Sequence, residues 1–494
     1  MFRAILYYRG KMGNNILNAT NIRKTINYLR KNGIRHAYYA AKERIEEEKK
    51  SDYIYEEPKE AVLEMQRGSW KDLPYRFSII VPAYETKAEY MRELIDSVRR
   101  QSYERWELII ADASTSSGVE EIVAEYQEME NERRIRYIRL IENRGISENT
   151  NVGIEAAEGD YIGLLDHDDV LTPDALYEIA GVIHESEEKG GRPTLIYSDE
   201  DKFTDNIVTP QAGNGYDSRG ENTARIYKDV NRKYDFNLDL ILSNNYICHF
   251  MVVEATLMKS LKLQKKYDGA QDYNLVLRTI DKLFTSKSVD DVTELNKMVL
   301  HVPRVLYHWR CHENSTAENT ASKTYAYDAG KAALEDFCKK RGWKTQVCHS
   351  LHLGFYQIGY LPDIFSVRPE VGIIGGRILD GRNKIVSGIY NEKGERLYLG
   401  VHKEYSGGNT HKAALMQDCA AVDIRCVRVC SALQPLFEQI TSVTYCEKGE
   451  QKLADVSGIT CDEEGYRKLS MELGRAAARM GYLVVWNPLI TIKL

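Results

Sequence analysis

The chain has no apolar run near the ~20 residues needed to cross a bilayer, and it lacks the charged start and small-residue cleavage site of a secretory signal. A cytoplasmic location is therefore expected. Its nine cysteines (Cys248, Cys311, Cys338, Cys348, Cys419, Cys426, Cys430, Cys446 and Cys461) are an odd number without any C-x-x-C. That argues against a disulfide framework and a zinc site, and it fits a reducing compartment. No G-x-G-x-x-G or P-loop lysine occurs in a suitable place, which weakens dehydrogenase and P-loop kinase readings. The net charge of −6 gives no global argument for nucleic acid as a partner. Residues 1–42 lack acid entirely, with nine Lys or Arg and no Asp or Glu. With Tyr7, Tyr8, Tyr28, Tyr38 and Tyr39 interleaved, this start reads as a solvated helical pair or as a contact with anionic headgroups at a membrane surface.

What is present suits a soluble globular protein of two or three domains: 494 residues, 43% hydrophobic and 28% charged. Residues 18–50 read as two helices broken at Asn32-Gly33, and 46–72 as a polar connector. From Arg76 strands and helices alternate. Phe77–Val81, Leu108–Ala111, Ile135–Leu140, Tyr161–Leu165 and Leu195–Tyr197 read as strands. Helices between them carry Met91, Leu94, Ile95 and Val98, then Val119, Ile122, Val123 and Tyr126. Ser147 is expected to cap one helix, and Pro173 to occupy the first position of another. The order implies an α/β fold with a doubly wound, mostly parallel sheet.

Tyr161-Ile-Gly-Leu-Leu-Asp166-His167-Asp168-Asp169 is the most informative stretch. An apolar run that ends in three carboxylates reads as a buried strand delivering acids into a crevice, where open α/β sheets bind ligands. Carboxylates this close repel unless a cation sits among them, and a hard divalent ion carrying a diphosphate is the natural answer. An isolated Asp-x-Asp is more often solvated or capping; the preceding apolar strand shifts the balance toward function. A nucleotide could be held by Asp112, the first loop's amides, Asn143 and Gly145.

Ser78-Ile-Ile-Val-Pro82-Ala-Tyr84, Asp112-Ala-Ser114, Asn143-x-Gly145, Asn151-x-Gly153 and Leu165-Asp-His-Asp-Asp169 together resemble the family 2 glycosyltransferases of the GT-A fold, especially bacterial enzymes of surface-polysaccharide assembly. Tyr197–Lys202, Ser243–His249, Gly269-Ala-Gln-Asp272-Tyr273 and His308-Trp-Arg310-Cys-His312 extend the match over roughly residues 75–340. The resemblance implies that Pro82, Tyr84, Asp112, Asn143, Asp166 and Arg310 bind a nucleotide-sugar donor. It implies that Asp168 and His312 hold Mg2+ or Mn2+, with His308 the rival for His312. Asp272 falls on the family's general base for inverting transfer to a hydroxyl of a glycan or lipid-linked glycan. Where the family usually has Asp-Asp, this chain has Ala111-Asp112. Read without the resemblance, Asp272 is a first-turn helix acid, Arg310 and His312 a structural ion pair, Tyr197–Lys202 a charged turn without a catalytic role, and Tyr307 and Trp309 core residues.

The implied organisation is a basic helical segment at 1–74, a GT-A domain at 75–345 and a C-terminal partial α/β domain at 346–494. The last resembles the back half of a second family 2 unit, through Val371–Leu379 and Gly481–Pro488. Strands are expected at 371–379, 384–390, 420–430 and Leu483–Trp486, and a helix near 463–481. Residues 346–494 contain no Asp-x-Asp, and Asp462-Glu463-Glu464 suits a helix start, so no nucleotide-sugar site is expected there. Cys426 and Cys430, four apart on an expected strand, make an improbable metal site. The function expected is therefore a metal-dependent inverting glycosyltransferase, peripheral at the inner face of the cell membrane. The rivals are a non-catalytic glycan-binding scaffold on a decayed transferase fold and a nucleotidyltransferase. The latter would want a Gly-rich basic loop where Pro82-Ala-Tyr-Glu85 stands.

Overall fold

The computed structural model describes residues 19–48, 53–129, 132–207, 223–285, 292–311, 324–408 and 410–494. Its centre is one sheet whose strands β1 (Phe77–Ala83), β2 (Trp106–Asp112), β3 (Ile135–Arg139) and β4 (Tyr161–Leu164) are parallel in the order β3-β2-β1-β4. β1 and β2 are buried almost throughout, because helices cover both faces and leave no side for polar alternation. Past β4 the sheet continues as β8 (Met251–Glu254), β6 (Leu195–Ile207), β9 (Val299–Arg310) and β5 (Val170–Leu171), with β7 (Thr223–Asn231) beside β6. Here β8 is antiparallel to β4 and β6, and β5 to β9, while β6 and β9 are parallel. The α/β order expected from the sequence is present, with its continuous parallel run limited to β1–β4 and one further parallel pair, β6 with β9.

Several local expectations are corrected. The 46–72 connector contains a helix, Glu60–Ser69, which buries Leu63 and Gln66. Its run of Ala, Leu, Glu, Met and Gln is rich in strong helix formers. Gly145, not Ser147, stands at the cap of the helix Ile146–Ala156, and Ser147 turns its hydroxyl to Asp268 instead. Asp174 is the cap of Ala175–Glu188, so Pro173 precedes the helix rather than opening it. Tyr197–Lys202 is no turn. It is part of β6, with Asp199, Glu200 and Asp201 buried.

The two N-terminal helices meet where expected, at Gly33, whose φ of 80° interrupts Ala19–Glu48. Glu43 in the second is buried and accepts from the backbone N–H groups of Ser406, Gly407 and Gly408, while Tyr39 stacks on His402 at 4.6 Å. This helix is therefore fastened to the C-terminal region. Tyr7 and Tyr8 lie outside the described residues.

The C-terminal region is built on Val371–Leu379, flanked in parallel by Leu483–Lys493 and antiparallel by Ile385–Ser387 and Val427–Val429. It has its own core of Ile373, Val427, Phe437, Leu473 and Trp486. The single strand expected at 420–430 is split by a 3-10 turn at Ile424–Cys426, which follows Asp423 as its cap. Asp462 caps the helix Glu463–Arg479 through the Gly465 N–H at 2.8 Å, the helix-start role its neighbours suggested. Among the described residues no two cysteines are joined in a disulfide. A hairpin of Thr345–His349 and Tyr356–Tyr360 packs Val347 and Tyr356 into the core of the preceding domain, beside Leu334 and Phe337. No described helix is long and apolar enough to cross a membrane.

Candidate active site

The acidic loop leaves β4 at the carboxyl edge of the parallel strands, still tied to β1 through the Leu165 N–H and the Ile80 carbonyl at 3.1 Å. Its three acids take three different positions. Asp169 is fully buried, accepting from the Arg310 backbone N–H at 2.7 Å and from the Tyr307 hydroxyl. Burial pushes its carboxyl well above the usual range, and the charges of Asp168 and Asp166 add to this. Asp169 is thus the anchor that fixes the loop to β9. Asp168 is held through its carbonyl, which accepts from Arg310 Nε at 2.7 Å. Asp166 keeps a side chain that is 48% exposed, and its carboxyl is raised by the surrounding protein and by the charge of Asp168, against the opposing effect of His249.

The expectation that Arg310 pairs with diphosphate oxygens is corrected. Its guanidinium is buried, paired with Glu93 and packed 4.4 Å from both the Tyr90 and Phe203 ring centroids. With Nε on the Asp168 carbonyl, Arg310 clamps the acidic loop from behind and does not line the cleft. His312 lies outside the described residues. Its rival His308 is buried and turned to Asp201, at 2.6 Å from Nδ1. Tyr307 is core, as expected, and Trp309 is partly so.

A cleft opens beside Asp166, lined by Pro82 from β1, Leu164 and Leu165, Cys248 and His249, and Gln271 and Asp272. Asp272 sits in the first turn of the helix Gln271–Thr285, and its Oδ2 accepts from Asn245 Nδ2 at 2.8 Å. Asp166 and Asp272, far apart in sequence, therefore face one space.

The remaining sequence candidates shape the loops around this space. Asp112 is fully buried, and each of its oxygens has two donors: Ser114 N–H and hydroxyl on Oδ1, Tyr137 hydroxyl and Arg139 Nη1 on Oδ2. This arrangement leaves its carboxylate no open lone pair for a nucleobase; it orders Ser114 and Arg139 at the strand's end instead. Asn143 Oδ1 accepts from the Gly145 N–H at 3.0 Å and Asn149 Nδ2 at 2.9 Å, shaping its own turn. Gly145 is required there: its φ is 102°, and a Cβ would sit 2.6 Å from Asp268. Tyr84 is half-exposed at the mouth of the β1 loop.

Sequence reasoning missed the support on β6. Its three consecutive acids each meet a histidine: Asp199 with His301 at 2.8 Å, Glu200 with His249 at 3.2 Å, and Asp201 with His308 at 2.6 Å. Lys233 is buried beneath, donating to Glu200 and to the carbonyls of Ile247 and His249. Burial works against the Glu200 charge, but Lys233 and His249 hold its carboxyl down at about 2. Burial likewise works against charge on His249, yet Cys248 and Glu200 keep the imidazole well above its usual range. The Cys248 thiol is itself pushed up to about 12 by burial and is uncharged at neutral pH, so the operative charge is that of Glu200. The signal available in the sequence was the acid run at 199–201 read together with His249, His301 and His308. Among the described residues, no three His, Cys, Asp or Glu side chains form a ready-made metal site.

Residues 78–254 match the family model described as glycosyl transferase family 2. The chain is 34% identical over 270 residues to the uncharacterized protein y4gI of Sinorhizobium fredii, covering 54% of this chain and 26% of that one. It is 30% identical over 272 residues to the O-antigen biosynthesis protein RfbC of Myxococcus xanthus, covering 55% and 18%. A putative teichuronic acid biosynthesis glycosyltransferase, TuaG of Bacillus subtilis, is 34% identical over 108 residues, 22% of this chain and 40% of that one. The chain thus spans about a quarter or less of the length of the first two. The crystal structure of S. aureus TarS 1-349 in complex with UDP-GlcNAc superposes over 52% of this chain and 65% of that one, at 17% identity and a TM-score of 0.36, a likeness too distant to carry an argument. The matched residues 78–254 hold β1 to β4, the acidic loop and His249, so it is this part of the chain that is similar to glycosyl transferase family 2.

Proposed function

We propose that the chain is a metal-dependent inverting glycosyltransferase, moving a sugar from a nucleotide-sugar to a hydroxyl of a growing bacterial cell-surface glycan. The observation that carries this reading is the meeting of Asp166 and Asp272 in one cleft at the carboxyl ends of β1 and β4. Relatives named for O-antigen and teichuronic acid biosynthesis support the acceptor class. In this reading Asp272 takes the proton of the acceptor hydroxyl as that oxygen attacks the anomeric carbon opposite the departing diphosphate. Asn245 Nδ2 donates to Asp272 Oδ2 at 2.8 Å and so orients the carboxylate at the cleft.

Asp166 and Asp168 offer hard oxygen donors on one turn, and a cation would offset the burial and the Asp168 charge that raise Asp166, so the residues fit Mg2+ or Mn2+. Asp168 and His312 would hold the ion, which when bound supplies charge neutralisation at the diphosphate. Pro82, Tyr84 and Asn143 border the donor side. Residues 346–494 bind no nucleotide-sugar in this reading, and the basic residues of 1–74 approach the inner face of the cell membrane.

Replacing Asp272 with Asn is the direct test. Donor and metal binding persist while transfer collapses; full activity in that variant would sink the base assignment. Asp168→Asn weakens donor binding in calorimetry with Mn2+ and leaves the metal-free titration unchanged.

A further inference from the structure

We propose that His249 is a donor-binding residue: its Nε2 donates a hydrogen bond to the diphosphate of the nucleotide-sugar, with Glu200 behind the ring. This deepens the transferase reading and rests on it.

A departing diphosphate needs positive charge or donors aimed at its oxygens. Among the described residues lining the cleft, which include Pro82, Asp166, Cys248, Gln271 and Asp272, His249 is the one side chain able to carry a positive charge. Arg310 is spent on Glu93 and the acidic loop, and Lys233 is buried on Glu200 and two carbonyls.

The ring is built in. It stacks on Tyr307 with centroids 5.1 Å apart and planes 14° apart, and Nδ1 faces Glu200 Oε2 at 3.2 Å. The same carboxylate oxygen accepts from the His249 backbone N–H, so side chain and main chain share one anchor. Lys233 completes the anchor from below by holding the His249 carbonyl. With Nδ1 donating to the Glu200 carboxylate, Nε2 is the nitrogen left for the cleft, and as the second N–H of an imidazolium it is a donor there. That nitrogen, Nε2, stands 3.9 Å from Asp166 Oδ2 on the cleft wall, and the side chain is 23% exposed.

The reaction balances without proton transfer through His249. The bond from the anomeric carbon to the diphosphate breaks, its electron pair goes to the diphosphate oxygen, and the acceptor oxygen forms the new bond while its proton passes to Asp272. His249 keeps its protons and only donates a hydrogen bond. A purely architectural His249 would instead serve to fill the stack on Tyr307. His249→Phe preserves that stack and removes both N–H groups, so it separates the two roles.

The experiment is calorimetry of the full chain with uridine, UMP and UDP, and in parallel the guanosine series, with saturating Mn2+. For the nucleotide series that binds, His249→Phe lowers diphosphate affinity about 10- to 100-fold, as expected for a lost charge-assisted bond, and leaves nucleoside affinity unchanged. His249→Gln, which keeps one N–H donor on a flexible stem, recovers part of that loss and serves if the Phe variant does not fold. Equal UDP or GDP affinity in the unmodified chain and the variants overturns the role of His249 and leaves the transferase reading standing. Failure of both diphosphates to bind the unmodified chain overturns the transferase reading itself.

Discussion

The two α/β regions of this chain each follow a short buried strand with an aspartate, and the two aspartates do opposite things. Asp166, after β4, is 48% exposed on the wall of a cleft, facing His249. Asp423, just after Ala421–Val422, is fully buried and every lone pair is occupied: Arg425 N–H and Nε on Oδ1, Arg425 Nη2, Ser387 and Tyr390 on Oδ2. Burial opposes its charge, but Arg425 holds the carboxyl below its usual range. An acid at a strand's end is therefore not a site by position. It becomes one when its neighbours leave it unsatisfied, because an unsatisfied carboxylate is what a cation or ligand can complete.

The largest effect expected from this contrast is in activity. Asp272→Asn should lower transfer about 10²- to 10⁴-fold, the range for a positioned base, with the melting temperature little changed. Asp423→Asn should do the reverse. Breaking a buried ion pair costs about 3–5 kcal/mol, so the C-terminal region should unfold at lower urea, while nucleotide affinity at the cleft holds. Circular dichroism and calorimetry on both variants check the pair. Loss of donor binding in the Asp423 variant would erase the distinction between the regions.

Much of the first region was legible because its strands are uninterrupted apolar runs and its acids stand out at their ends. Asp166 and Asp168 could be singled out for that reason, whereas Asp272, a first-turn helix acid when read alone, is singled out only by the family resemblance. What stayed hidden were residues whose meaning depends on partners far along the chain. Glu200 read as part of a charged turn because an acid run is usually solvated; only His249 and Lys233, brought over by the antiparallel strands, make it a buried strand residue. Arg310 read as a diphosphate contact through the family resemblance, and its burial against Tyr90 and Phe203 cannot be inferred from spacing. Satisfaction of polar groups is a three-dimensional property, and Asp112 shows it most plainly.

A smaller effect concerns how the N-terminal helix is fastened. Glu43 is buried with three backbone N–H groups of residues 406–408 on its carboxylate. Glu43→Ala leaves those donors unpaired, at a cost of about 1–3 kcal/mol. Limited proteolysis should then cut within residues 19–48 earlier, while cleavage inside the first domain keeps its rate.

The smallest effect is a pH dependence with opposite sense in the two regions. His411 stacks on His352 with centroids 4.1 Å apart and meets the Phe355 ring edge-on, beneath the helix that carries His36 and Glu43. Burial, then the neighbouring His352, lowers His411 to about 3, and burial also lowers His352. The unfolded chain therefore takes up these protons first, near pH 6.5. Stability contributed here is full above that value and is lost as pH falls toward 3. Between pH 7 and 6 a histidine that stays neutral when folded loses about 0.7 kcal/mol. His301 runs the other way: burial opposes its charge, but Asp199 and Asp235 raise it, so its contribution is present below about pH 6.5 and is lost as pH rises through the folded value. Proteolysis of the N-terminal helix should accordingly quicken from pH 7 to 6, and His411→Phe, which keeps a stacked ring without a titrating group, should flatten that response. A response unchanged in His411→Phe would remove His411 as its source and leave the acid sensitivity with His352.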